Sequence, residues 1–206
     1  MEFIKNRMKK KAIIISIKGY KLSIKEKNLL AHEKPWGLIL FKRNIKSLEQ
    51  IKKLITKIRK ISKDSKFPIM IDEEGVSVSR LSKIVNHNFS QKSLGDIYKV
   101  NNKISLIFYK NYINNLTTFL KKIGININTV PVLDVLRKNT NKIIGNRSFS
   151  NNPNVVKKLG QICVKQYELN KLATVIKHLP GHGCASLDSH LKMPKVKLNY
   201  KDLNKI

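Results

Sequence analysis

Acidic residues are scarce in this chain. Thirteen Asp and Glu stand against 42 Lys and Arg in 206 residues, a formal net charge of +29. Such a balance suits an anionic partner, but the basic residues are scattered, and no RNP-like, zinc-finger or basic-zipper pattern accompanies them. Lysine, isoleucine and asparagine are abundant throughout, as AT-rich codons produce. The charge reads as compositional drift, with unspecific attraction to polyanions as its consequence, and no specific nucleic-acid partner is expected. Cysteine is limited to Cys163 and Cys184, in different predicted elements. That excludes a disulfide framework and points to a reducing, cytoplasmic compartment. Long apolar runs are missing too. Residues 12–15, behind Lys9, Lys10 and Lys11, are too few for a signal-peptide core, and no small-residue cleavage site follows. They predict a first strand behind a basic leader. No segment is long and apolar enough to span a bilayer, so no membrane association is expected.

What is present alternates between two periods. Residues 12–17, ending at Gly19, and residues 36–41 and 68–71 are short apolar runs that predict buried strands. Residues 23–31 suit a short helix. Leu48, Ile51, Leu54, Ile55, Ile58 and Ile61 recur at helical spacing, and Ser47 with Gln50 has the spacing of a capping box. Residues 76–100 are polar and irregular, which predicts a long loop over the top of the fold. Residues 104–122 predict a helix closed by Gly124. Residues 125–135 alternate and predict a strand interrupted at Pro131. Asn152 and Pro153 suit the cap and first turn of a helix with Val155, Val156, Leu159, Ile162, Cys163 and Tyr167 on its buried face. Residues 173–176 predict a fifth strand.

Five βα units in series over residues 1–206 indicate one parallel α/β domain. Polar residues cluster after the strands: Lys42, Arg43 and Asn44; Asp72, Glu73 and Glu74; Asp134; Lys177 and His178. A (β/α)8 TIM barrel builds its site at that end. A doubly wound sheet competes, but no glycine-rich phosphate fingerprint follows an early strand.

No other segment packs three histidines, a lysine and a carboxylate as closely as 175–194, where a strand ends at Lys177 and His178, a Pro-Gly-His-Gly turn follows, and Asp188 precedes His190 by two residues. Three chemistries fit. Asp188 could orient His190 as a general acid/base near neutral pH, with Lys177 and His178 donating to a polar substrate. His178, His182 and His190 could bind zinc, although no second ligand motif supports it. The segment could also be a polar turn, with Gly181 and Gly183 in left-handed conformations.

The words K-H-x-P-G-H-G and D-S-H resemble the signature of family 3 glycoside hydrolases, specifically the single-domain bacterial β-N-acetylglucosaminidases of cell-wall recycling. Four other stretches are similar to that family in the same order: residues 37–44 to G-x-I-L-F-x-R-N, residues 72–81 to D-Q-E-G-G-R-V-Q-R-L, residues 131–135 to P-V-L-D-V, and residues 145–149 to the segment carrying a sugar-binding arginine. The resemblance implies a TIM barrel and retaining hydrolysis of terminal β-linked N-acetylglucosamine from peptidoglycan fragments. By this resemblance His190 is the acid/base and Asp188 its dyad partner, while Asp72, Arg80, Arg147, Lys177 and His178 bind the sugar. It implies no metal and no organic cofactor.

Two departures stand out. Val76 and Ser77 occupy the Gly and Arg positions of the motif, and a valine at positive φ would strain that turn. Retaining chemistry also needs a nucleophile. The resemblance places it on a late strand well past D-S-H, and no residue up to Ile206 matches it; Asp202 lacks the strand context. The expectation is therefore an incomplete barrel of about the first five βα units, with two open strand edges. A sequence cut short, a decaying gene, or a half-barrel completed by a partner chain would each account for it. The functional expectation is the glycosidase, partial or inactive as this chain, with a non-catalytic sugar-binding remnant as the alternative.

Overall fold

The computed structural model describes residues 10–188, 191–196 and 199–203. Its centre is a parallel sheet of five strands: β1 (Lys11–Ile15), β2 (Pro35–Leu40), β3 (Ile69–Ile71), β6 (Ile127–Asn128) and β7 (Ala173–Thr174). A hairpin of β4 (Glu73–Gly75) and β5 (Val78–Ser79) follows β3. The sheet order β1-β2-β3-β6-β7 follows chain order throughout. A doubly wound sheet reverses direction at a switch point. This one does not, so it is the singly wound, barrel type of α/β sheet. Register is tight in the middle, where Leu38, Ile39 and Leu40 pair with Ile69, Met70 and Ile71.

The helices form where apolar spacing and caps agree. In α2 (Leu48–Ser62) the Ser47 side chain accepts from the Gln50 amide, and Ile51, Leu54, Ile55 and Ile58 are buried. The expected reciprocal box is only half made, because Gln50 Oε1 accepts from the Lys46 amide instead, at 2.8 Å. The full box is in α1 (Ile24–Asn28), between Ser23 and Glu26. A π turn, Leu29–Glu33, then completes the short helix predicted over 23–31. α4 (Asn102–Ile123) buries Tyr109, Ile113, Leu116, Leu120 and Ile123 along one face. It ends at Gly124, whose φ of 96° suits a residue without Cβ. α5 (Pro153–Leu169) starts as predicted, with the Asn152 side chain accepting from the Asn154 amide. It packs on α4, and α4 packs on α2. A short helix, α6, covers Tyr200–Leu203. Among the described residues no helix is long and apolar enough to cross a membrane.

Four expectations need correction. Residues 76–100 are not a long loop: the β4–β5 hairpin turns back at once, and α3 (Gln91–Val100) follows, capped by Ser90. The predicted strand over 125–135 pairs only at Ile127 and Asn128. Beyond them Val130 and Val132 are buried without a ladder, apart from one bridge between Val132 and Lys177. Val76 is not at positive φ; the preceding Gly75 is, at 141°, so valine fits the turn. Gly181 takes a positive φ of 133°, but Gly183 does not. Gly183 is constrained by space, since a Cβ there would lie 2.3 Å from the Val135 carbonyl oxygen. The Val130–Pro131, Lys177–His178 and Leu179–Pro180 peptide bonds are cis.

Both sheet edges carry exposed apolar residues, Ile13 and Ile14 on β1 and Val175 and Ile176 just after β7.

Candidate active site

The parallel strands deliver their C-terminal residues to one end of the sheet. Asp72 follows β3 directly, Thr129 follows β6, and Lys177 and His178 follow β7. The Gly145–Arg147 turn and the His182–Cys184 turn close over them. Between these segments lies a cleft of about 690 Å³ lined by Asp72, Glu74, Arg80, Arg147, Lys177, His178 and His182. A larger groove of about 830 Å³ lies elsewhere, along α5 beside Leu133, Val135 and Ile176. It is mainly apolar and gathers none of the predicted site residues, so the polar cleft is the functional candidate.

Lys177 is the cleft's hub. Its Nζ donates to Thr129 Oγ1 at 2.9 Å, lies 3.3 Å from Asp72 Oδ1, and pairs with Glu74 Oε1. Asp72 also accepts from Arg80 Nη2 at 2.9 Å and from the Thr129 hydroxyl. Burial pushes the Asp72 carboxyl up, but the Lys177 charge and the bonds from Thr129 and Arg80 outweigh it and hold it below the ordinary carboxylate value. Arg147 grips Glu74 with two donors, Nε to Oε2 at 2.8 Å and Nη2 to Oε1 at 3.0 Å. Glu74 is almost wholly enclosed, with a side-chain exposure of 2%, so both of its oxygens meet cations as burial demands.

The same Arg147 Nη2 lies 3.2 Å from His178 Nε2. A guanidinium only donates, so that ring nitrogen accepts and the ring proton sits on Nδ1. His178 Nδ1 in turn donates to Asp134 Oδ2 at 2.6 Å. The other Asp134 oxygen accepts the amides of His182 and Gly183 at 2.6 and 3.0 Å. Burial raises the Asp134 carboxyl, and the hydrogen bonds from His178 and the two amides more than reverse that, leaving it depressed. The cleft therefore sets Arg80, Arg147 and Lys177 against Asp72, Glu74 and Asp134. Lys142 also lines the cleft, so the lining carries an excess of basic groups; its dense donors and acceptors suit a hydroxyl- and amide-bearing ligand.

All five predicted sugar-binding residues, Asp72, Arg80, Arg147, Lys177 and His178, line this one cleft. Asp188 is partly buried, and its carbonyl accepts from the amides of Leu191 and Lys192. His190 lies outside the described residues, so the proposed dyad does too. Among the described residues no group of three or more His, Cys, Asp and Glu is placed to hold a metal ion. His178 and His182 stack edge to face at 5.9 Å. Glu74, Asp134 and Thr129 were not among the predicted site residues. Glu74 and Asp134 each sat inside a quoted motif, which was the available signal; nothing in the sequence marked Thr129.

Residues 7–206 match the family described as "Glycosyl hydrolase family 3 N terminal domain". Similar curated proteins include a beta-hexosaminidase A from Pseudoalteromonas piscicida, 35% identical over 81% of this chain and 29% of its own length. A beta-hexosaminidase from Hydrogenovibrio crunogenus is 32% identical over 88% of this chain and 50% of its own. The chain thus spans half or less of the length of these relatives. Among solved structures, native NagZ from Neisseria gonorrhoeae superposes with a TM-score of 0.84 at 29% identity, covering 95% of this chain and 57% of that one. The same protein was also solved in complex with N-trifluoroacetyl-D-glucosamine.

Proposed function

This chain belongs to the glycosyl hydrolase family 3 N-terminal domain family, and from that premise we propose that its cleft binds terminal β-linked N-acetylglucosamine of cell-wall glycans or muropeptides. The observation that carries the reading is the convergence of Lys177, His178, the Asp72–Arg80 pair and the Glu74–Arg147 pair on one cleft dense in donors and acceptors. Carboxylates accept from ring hydroxyls, and the guanidinium groups donate to hydroxyl or acetamido oxygens. The complex of a similar protein with a trifluoroacetylated glucosamine supports that ligand class.

In the hydrolytic reaction His190 protonates the leaving oxygen and later activates water, and Asp188 orients and tunes its imidazole. Retention also needs a nucleophile, and we assign none among these 206 residues. The polypeptide thus supplies the sugar-binding and acid/base side of the reaction, in the cytoplasm, with the nucleophile coming from a further segment or a partner chain. One observation favours a second reading, a sugar-binding remnant without turnover: Ser77, standing where the family motif has arginine, lines the cleft.

Titration of the folded chain with N-acetylglucosamine tests the proposal, and saturable binding lost in K177A is expected. A folded sample that does not bind rejects both readings. Hydrolysis of an aryl β-N-acetylglucosaminide by the 206-residue polypeptide, abolished in H190A, would reject the claim that its nucleophile lies elsewhere.

A further inference from the structure

Along an extended strand neighbours face opposite ways. Asp72 and Glu74 line the cleft; Glu73, between them, does not, and lines an interior space beside Phe89, Tyr112 and Tyr167 that Glu74 also borders. Its side chain is fully enclosed, yet among the described residues no lysine or arginine side chain pairs with it. Oε2 accepts the amides of Arg80 and Leu81, both at 2.9 Å. Oε1 accepts from Ser79 Oγ and from His87 Nε2, both at 2.5 Å. His87 is buried too, and its Nδ1 lies 3.2 Å from Tyr112 Oη. The Glu73 main chain is clamped by Asn128, whose Oδ1 accepts from the Glu73 amide and whose Nδ2 donates to the Glu73 carbonyl, each at 2.9 Å.

Three of those four donors lie on residues 79–81, which carry Arg80 into the cleft. The hairpin bearing them is too slight to hold itself, with two paired positions and an irregular register. Among the described residues the Arg80 guanidinium has, beyond its bond to Asp72, only a loose contact with the Phe41 ring, 5.6 Å from the centroid. Its aim is therefore set mainly by its backbone.

We propose that Glu73 is a positioning residue of the sugar site: it touches no ligand, but fixes Arg80 against Asp72 through the main chain, with His87 and Tyr112 bracing it from behind. The proposal rests on the sugar-binding reading above.

The test compares the wild-type chain with E73A and E73Q. Its readouts are amide exchange at Arg80 and Leu81, the ring-nitrogen NMR signature of His87, and affinity for N-acetylglucosamine. E73A is expected to speed exchange at both amides by about tenfold or more, with α4 unaffected, and to weaken sugar binding by about tenfold. E73Q restores both. Its oxygen takes the two backbone donors and its amino group turns to His87, so the ring proton moves from Nε2 to Nδ1, toward Tyr112 Oη. Unchanged exchange in E73A overturns the proposal. So does faster exchange with sugar affinity within about twofold of wild type, which would leave Glu73 a purely structural role. If E73A does not fold, E73Q decides: a ring that keeps its Nε2 proton while both amides stay protected overturns it. If the wild type binds no sugar, the functional reading falls, and exchange alone decides whether Glu73 fixes the Arg80 segment.

Discussion

His178 Nδ1 lies 2.6 Å from Asp134 Oδ2, and Asp134 has no side-chain exposure. One carboxylate thereby fixes a ring facing the cleft and, through its other oxygen, the two amides that start the His182–Cys184 turn. It is the joint between the segment after β6 and the segment after β7.

Removing that joint has two separable effects. D134A leaves two amides and a ring N–H unanswered and is expected to cost about 3 kcal/mol. In a chain of this size that lowers Tm by roughly 6–12 °C. D134N keeps an acceptor for the amides and costs less, about 1 kcal/mol. Its amino group, however, faces the His178 N–H, which forces the proton toward Nε2 and so against Arg147. D134N should therefore lose sugar affinity out of proportion to its Tm. Thermal melts paired with sugar titration check this, and a D134A melt coinciding with wild type would refute it.

Acid stability should reflect the two depressed carboxyls of the cleft. Asp72 and Asp134 are both held below their ordinary value when folded, so the unfolded chain takes up their protons first as pH falls. Their contribution is complete above the unfolded value, about 3.9, and is lost as pH drops through the folded values. Unfolding free energy in urea is expected to stay flat on this account from neutrality to about pH 5, then fall below about pH 4. The D72N/D134N double variant should show a shallower acid limb. An equally steep limb in that variant would place the acid sensitivity in other groups.

The strand ends are legible in the sequence because each closes an apolar run, whereas the meeting of Asp72, Arg80, Arg147, Lys177 and His178 in one cleft is legible only through the family motifs they sit in. Glu74 and Asp134 were harder to see. Their roles depend on partners 73 and 44 positions away, Arg147 and His178, and no local pattern reveals such pairings. α3 was missed because it buries only Gln91, Leu94 and Gly95, too few to set a helical period. The strand over 125–135 was drawn too long because alternation reports burial, and Val130 and Val132 are buried without being paired in a ladder.

Arg147 tests whether geometry or charge matters in the cleft. R147K keeps the charge but cannot make both Glu74 bonds and also reach His178 Nε2. Sugar affinity is expected to fall by roughly tenfold with the fold intact. R147A goes further, leaving Lys177 as the sole cation at an enclosed Glu74, and should lower Tm as well. If R147K binds like wild type, the fork is not what the site uses.

Glycine to alanine inside a helix normally stabilises, by about 1 kcal/mol at an exposed site. Gly95 in α3 should do the reverse. A Cβ there would stand 1.8 Å from the carbonyl oxygen of Phe149 and 2.7 Å from its carbonyl carbon. That obstacle is backbone, two residues from Arg147, so α3 or the Arg147 segment must move. G95A is expected to destabilise by about 3 kcal/mol and to weaken sugar binding, because the displaced segment carries the Glu74 partner. Gly160 in α5 supplies the control. Its Cβ would meet Leu133 Cδ2 at 2.4 Å, the end of a side chain that can rotate away, so G160A should fall within about 1 kcal/mol of wild type. Urea melts of the two variants settle the comparison. A G95A protein as stable as G160A would mean that α3 does not lean on the Phe149 backbone, and that Arg147 is placed by its bonds to Glu74 alone.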